Sequence, residues 1–160
     1  MLTLALSSVR FSLWRRVASL NGAHGSKAKH MACNKEVWQD LGEGFVQEYY
    51  SRFDNTNRME LGNLYSPEAC LTWEGSPYQG REAIASKLAS LPFKTIKHII
   101  TEQDFQPTID GCILIMVFGQ LKVDDDPPMA FHQVFMLKSQ NCAWACTNDV
   151  FRLGIHNIPV

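Results

Sequence analysis

From Lys94 to Leu153 the chain is almost unbroken β pattern, and this stretch constrains the fold more than any other feature. Ile96, His98 and Ile100 alternate with Lys97, Ile99 and Thr101, as on a strand whose two faces differ. Pro107 to Gly111 is turn chemistry, and Cys112 to Val123 is nearly all apolar, which predicts a strand covered on both faces. Asp124 to Pro128 breaks the ladder, because proline cannot donate a strand hydrogen bond. Met129–Lys138 and Ala143–Leu153 then read as a hairpin across Ser139-Gln140-Asn141. Helices precede these strands. Val37, Leu41, Phe45, Tyr49 and Phe53 recur every four residues, with Trp38, Val46 and Tyr50 widening the stripe, so Glu36 to Phe53 is an amphipathic helix. Asp54-Asn55-Thr56-Asn57 ends it, a short helix spans about Arg58 to Tyr65, and Cys70 to Glu74 is a short strand. Gly75-Ser76-Pro77 turns the chain into a third helix, about Arg81 to Ser90, which Pro92 closes. Helices first and strands later give an α+β architecture, with helices against one antiparallel sheet.

At 160 residues this is one domain preceded by an extension. Residues 1–30 hold Arg10, Arg15, Arg16, Lys27 and Lys29 and no acid. Taking those five positives from the formal −1 leaves −6 for residues 31–160, a balance that disfavours nucleic acid and favours basic protein surfaces. The extension reads either as a basic segment before Met31 or as a mitochondrial presequence. No apolar run reaches the roughly 18–20 residues of a membrane span. Cys33, Cys70, Cys112, Cys142 and Cys146 form no CxxC pair, and zinc ligation is not expected. A Gly-rich phosphate loop is absent from the sequence, and no nucleotide, metal or other cofactor is expected.

Two segments carry the functional signal. Leu71-Thr72-Trp73-Glu74-Gly75 sets a large ring beside a carboxylate, and Val123-Asp124-Asp125-Asp126-Pro127 is an acidic turn between β runs. An isolated Trp-Glu pair is usually a core ring next to a solvated acid, and consecutive acids before proline usually decorate a turn. The triplet lacks the spaced ligands of a calcium loop. An aromatic near paired acids suits docking of a basic, apolar-tipped protein loop better than bond-breaking chemistry.

With their surroundings from about Lys35 to Asn157, these segments resemble the nuclear transport factor 2 family, carriers of the GDP-bound Ran GTPase. The resemblance implies a cone, in which a strongly curved antiparallel sheet packs on the N-terminal helix and leaves an open mouth. It implies Trp73, Glu74, Asp124 and Asp126 as Ran contacts, the last two pointing the same way from an extended loop. Leu91, Ile96, Met129 and Phe151 would line the pocket, and core packing is the equal alternative for them. His98 is expected to shape the mouth and pair with Glu74. Trp38 and Met116 would bind Phe-Gly repeats of nucleoporins, and the chain would be a homodimer of the cytoplasm, nucleus and nuclear pore. Departures from the family pattern are Pro128, Val150, which would trim the cavity wall, and the end His156-Asn157-Ile158-Pro159-Val160. Rival readings are an isomerase or dehydratase built from Asp104, His98 and Tyr78, and a heterodimer subunit in messenger-RNA export.

Overall fold

The structure, a computed structural model, describes residues 35–55, 57–140 and 143–154, with side chains from Val37 onward. The extension, Cys33, Cys142 and His156 to Val160 lie outside the described residues. Helix α1 runs Lys35–Phe53 and is followed by a 3-10 helix, Arg58–Leu64. Strands β1 (Tyr65–Trp73) and β2 (Ser76–Gln79), helix α2 (Arg81–Ala89), then β3 (Ile96–Pro107), β4 (Ile113–Val123), β5 (Met129–Gln140) and β6 (Ala143–Leu153) complete the chain.

The four-residue stripe of α1 does what its spacing predicts: Leu41, Phe45, Tyr49 and Phe53 are buried, as are Trp38, Val46 and Tyr50. Val37, counted with that stripe, is exposed. These side chains meet Ile115, Val117, Phe131, Phe135 and Leu137 from the inner sheet face in one apolar cluster. Phe135 takes Phe45 and Tyr49 edge-on, at ring-centroid distances of 5.1 and 4.8 Å. Helix and sheet come closest at Gly42, where a Cβ would collide with the ring of Phe105.

The six strands lie in the order β2-β1-β6-β5-β4-β3. Four pairings are antiparallel, but β1 runs parallel to β6, with Leu71 opposite Asp149 and Trp73 opposite Phe151. The sheet is therefore mixed, where the sequence pattern pointed to an antiparallel one. Period-two alternation reports which face a residue takes, not the direction of its neighbour. Register shifts at Ile100/Glu102 and at Met136/Leu137 add the local twist that curves the sheet round α1.

Strand β4 corrects a second expectation. Ile113, Ile115 and Val117 are buried, whereas Leu114, Met116 and Phe118 on the outer face are only half-buried. Strand β2 stands where the sequence pattern predicts only a turn. It starts at Ser76, directly after a tight hairpin in which Glu74 and Gly75 both take positive φ, 49° and 86°. That is the backbone sign a twist-matched two-residue hairpin loop requires at both positions.

Gly42→Ala is expected to lower stability by about 1–3 kcal/mol, since the half-buried Phe105 ring must be displaced from its packing against the cluster. The midpoint of urea unfolding checks this, and a midpoint equal to wild type would show that the helix-to-sheet gap is slack.

Candidate functional site

One end of the sheet gathers most of the singled-out residues. The C-terminal ends of β1, β4 and β6 meet the N-terminal ends of β3 and β5 there, with Ile96 opposite Val123, Leu121 opposite Met129, and Phe131 opposite Leu153. Trp73 is half-buried and stacks on Phe151, with centroids 4.0 Å apart and planes 5° from parallel. Phe53 covers it in turn at 6.1 Å. Ile96 and Phe151 are buried, whereas Leu91 and Met129 are partly buried against the same cluster. The two former thus belong to the core, and the two latter to its rim.

His98 packs edge-on against Phe53 and Phe131 and tilts over Tyr50. Its expected partner, Glu74, is not its partner. Nδ1 of His98 lies 2.6 Å from Oδ1 of Asp54, and the His98 backbone N–H donates to Oδ2 of Asp54 at 3.1 Å. Asp54 follows Phe53 at the end of α1, so the helix itself delivers the acid to the mouth. The sequence carried only a weak signal for it, an acid one step beyond the last residue of the apolar stripe.

Glu74 is engaged elsewhere. Its Oε1 accepts the Leu153 N–H at 2.6 Å, and its own N–H donates to the Phe151 carbonyl at 3.1 Å. Asp124 also differs from expectation. It does not lie in an extended loop with Asp126, but takes φ 45° in a turn. Its Oδ1 accepts the Thr95 N–H at 2.8 Å, the Lys94 N–H at 3.1 Å and the Thr95 hydroxyl at 3.1 Å. These bonds, led by the Thr95 amide, hold its carboxyl below the usual range. Among the described residues Asp126 has no side-chain partner of this kind, and it is exposed. Glu74 and Asp124 are also the two non-glycine residues with positive φ among those described. For a residue with a Cβ that region costs about 1–2 kcal/mol, and such strain concentrates at functional sites.

Three placements separate residues that the sequence grouped. Trp38 is buried at the start of α1 on the inner face, whereas Met116 sits on the outer face opposite Val134, so within one chain they share no groove. Val150 is 43% exposed on the outer face, and trims no cavity wall. Asp104 lies opposite Met116 and Tyr78 lies under Lys87 on β2, so the rival trio with His98 does not converge.

The buried acid is one that sequence reading missed. Asp149, 1% exposed, accepts Tyr65 Oη at 2.6 Å and Tyr49 Oη at 3.3 Å on Oδ2, and Gln133 Nε2 at 2.8 Å on Oδ1. Tyr50 Oη donates to Gln133 at 2.7 Å. Burial raises the Asp149 carboxyl to about 6, against the lowering effect of those hydrogen bonds. Burial likewise pushes the Tyr49 and Tyr65 hydroxyls up. Among the described residues no three His, Cys, Asp or Glu side chains converge as a metal site would need, and no helix is long and apolar enough to cross a membrane.

This end of the sheet thus presents a half-buried Trp73 ring with the exposed acids Glu74, Asp124 and Asp126 on the two neighbouring turns. Comparison with known proteins points to one family. A family profile described as the nuclear transport factor 2 domain matches residues 41–153. A Caenorhabditis elegans protein named probable nuclear transport factor 2 is 41% identical over 126 residues, covering 75% of this chain and 95% of its own. Nuclear transport factor 2 of Saccharomyces cerevisiae is 44% identical over 116 residues, or 71% of this chain and 92% of that protein. The solved structure of nuclear transport factor 2 from Cryptosporidium parvum superposes with a TM-score of 0.69 at 41% identity, covering 73% of this chain and 94% of that one.

A folded-state carboxyl near 6 set against an unfolded value of 3.8 means that the folded protein binds the extra proton. Stability is then expected to fall as pH rises from about 4 through 6, by on the order of 2–3 kcal/mol from this group. Asp149→Asn should flatten that slope in urea titrations across the window. An unchanged slope would show that Asp149 is ionised throughout.

Proposed function

The chain belongs to the nuclear transport factor 2 family, and on that premise we propose that this carrier takes GDP-bound Ran at its acidic mouth and Phe-Gly-repeat nucleoporins along its helix α1. A nuclear transport carrier works by binding and releasing, not by turnover. The names of its relatives point to the cytoplasm, the nucleus and the pore between them, and give the mitochondrial alternative no support.

The observation that carries the Ran reading is the Trp73–Phe151 stack with carboxylates on either side. A partner's aromatic tip gains apolar contact at Trp73, while its lysine or arginine side chains meet Glu74 and the 124–126 turn. Rim charges of this kind raise the association rate and select the partner more than they add bulk affinity. Release follows from differential binding: a switch segment that fits the mouth with GDP is withdrawn when GTP rearranges it.

A homodimer is supported by the outer sheet face. Leu114, Met116, Phe118, Val134 and Met136 are half-buried there, and Ile99 is 62% exposed. A second copy laid on this face would cover a contiguous apolar surface that one chain leaves wet. It would also bring Met116 of one protomer toward its partner, which a repeat-binding groove shared with Trp38 requires.

Titration calorimetry of the full chain against Ran in its two nucleotide states tests this reading. Binding is expected with the GDP form alone. Glu74→Lys should weaken it at least tenfold, about 1.4 kcal/mol, because it sets like charges together at the rim. Trp38→Phe, which keeps an aromatic ring in the cluster, should leave Ran binding unchanged and weaken retention on a Phe-Gly-repeat column. A folded chain that ignores both Ran forms overturns the proposal.

A further inference from the structure

Resting on the Ran-binding reading, we propose that Arg58 is a positioning residue that presents Asp124 and Leu91 to the partner by fixing the 91–95 segment from below. That segment joins α2 to β3 and has no helical or strand bonding of its own. Its polar groups are divided between two opposite charges. On one side Nη1 of Arg58 donates to the Leu91 carbonyl at 3.0 Å, and Nη2 donates to the Phe93 carbonyl at 2.7 Å. On the other side Asp124 accepts both the Lys94 and the Thr95 amides. A cation thus holds two of the carbonyls and an anion two of the amides, while the Thr95 carbonyl accepts the Asp124 N–H at 3.0 Å. Pro92, between the two carbonyls, has no N–H to contribute.

Arg58 is an unusual choice for this place if turn closure were all it did. It is only 7% exposed, its guanidinium lies 4.2 Å over the Phe93 ring, and its Nε has no hydrogen-bond partner. Burying a cation with an orphaned donor is costly, and an apolar residue would fill the volume. What an apolar residue lacks is a planar fork that reaches two carbonyls at once while stacking on a ring, and a lysine lacks it too. The result reaches the surface. Asp124 Oδ1 accepts three hydrogen bonds, whereas Oδ2 has only one long contact, 3.4 Å from the Lys94 amide, on a residue that is exposed. The carboxylate is therefore aimed before a partner arrives, which lowers the ordering cost of binding. Leu91, whose carbonyl the fork holds, is one of the apolar rim residues.

The test is a double-mutant cycle on the full chain, read as Kd for GDP-bound Ran. Arg58→Met is expected to weaken binding about tenfold, and Arg58→Lys nearly as much, because the fork rather than the charge is lost. In either background Asp124→Asn should cost less than half of what it costs in wild type. Glu74→Gln, on the separate β1–β2 turn, should cost its full amount. Equal additivity at Asp124 and Glu74 would show general destabilisation and overturn the proposal, as would wild-type affinity in both Arg58 variants. If Arg58→Met does not fold by circular dichroism, the cycle is carried by Arg58→Lys. If wild type itself fails to bind Ran, the functional reading falls. NMR titration of Asp124 then decides the positioning role: its carboxyl should rise toward the ordinary range in Arg58→Lys, which keeps the charge, and an unmoved value overturns it.

Discussion

Asp149 is the point on which the cone closes. Its carboxylate sits on β6, and the groups that satisfy it come from β1 (Tyr65), α1 (Tyr49) and β5 (Gln133), with Tyr50 of α1 completing the set through Gln133. A carboxylate in an apolar interior is costly unless each lone pair is used, so none of these elements can shift alone without leaving a polar group bare. Apolar packing supplies most of the stabilisation but tolerates sliding. The hydrogen-bonded acid is what sets the height of α1 against the sheet. That height in turn carries Phe53 and Asp54, at the end of the helix, to Trp73 and His98.

The mouth is built from this rigid base outward. Aromatic rings form its floor, and two of the acids at its rim, Glu74 and Asp124, accept backbone amides. An acid held by amides forms no direct ion pair that a basic partner would first have to break. The left-handed backbone at Glu74 and Asp124 belongs to the same arrangement, with strain tolerated where a side chain must point in one direction.

Much of this was legible in the chain. The stripe of α1, the strand runs and the Trp73-Glu74 and 124–126 segments are local patterns, and local patterns survive in a sequence. What was lost is long-range or depends on direction. The parallel pairing of β1 with β6 leaves no trace in alternation, and β2 was hidden by Gly75 and Pro77, which read as a turn although the strand starts among them. Asp149 looks like any polar residue in a strand, because its partners are dispersed through α1, β1 and β5. His98 was assigned to Glu74 on proximity of role, whereas the acid that reaches it lies at the end of α1.

The β1–β6 pairing has a consequence for how the chain is made. Leu71 to Trp73 pair at once with Ser76 to Tyr78 on one side, but on the other side their partners are Asp149 to Phe151, nearly eighty residues later. Contacts between such distant parts form late, because the loop between them must close before it is rewarded. On the ribosome, α1 and the antiparallel hairpins can assemble as they emerge, but Trp73 has only Phe53 beside it, and not the closer ring of Phe151, until Phe151 has left the exit tunnel. The β1–β6 edge is thus among the later contacts to form, and a chain that stops short of Phe151 lacks the ring that completes the Trp73 stack.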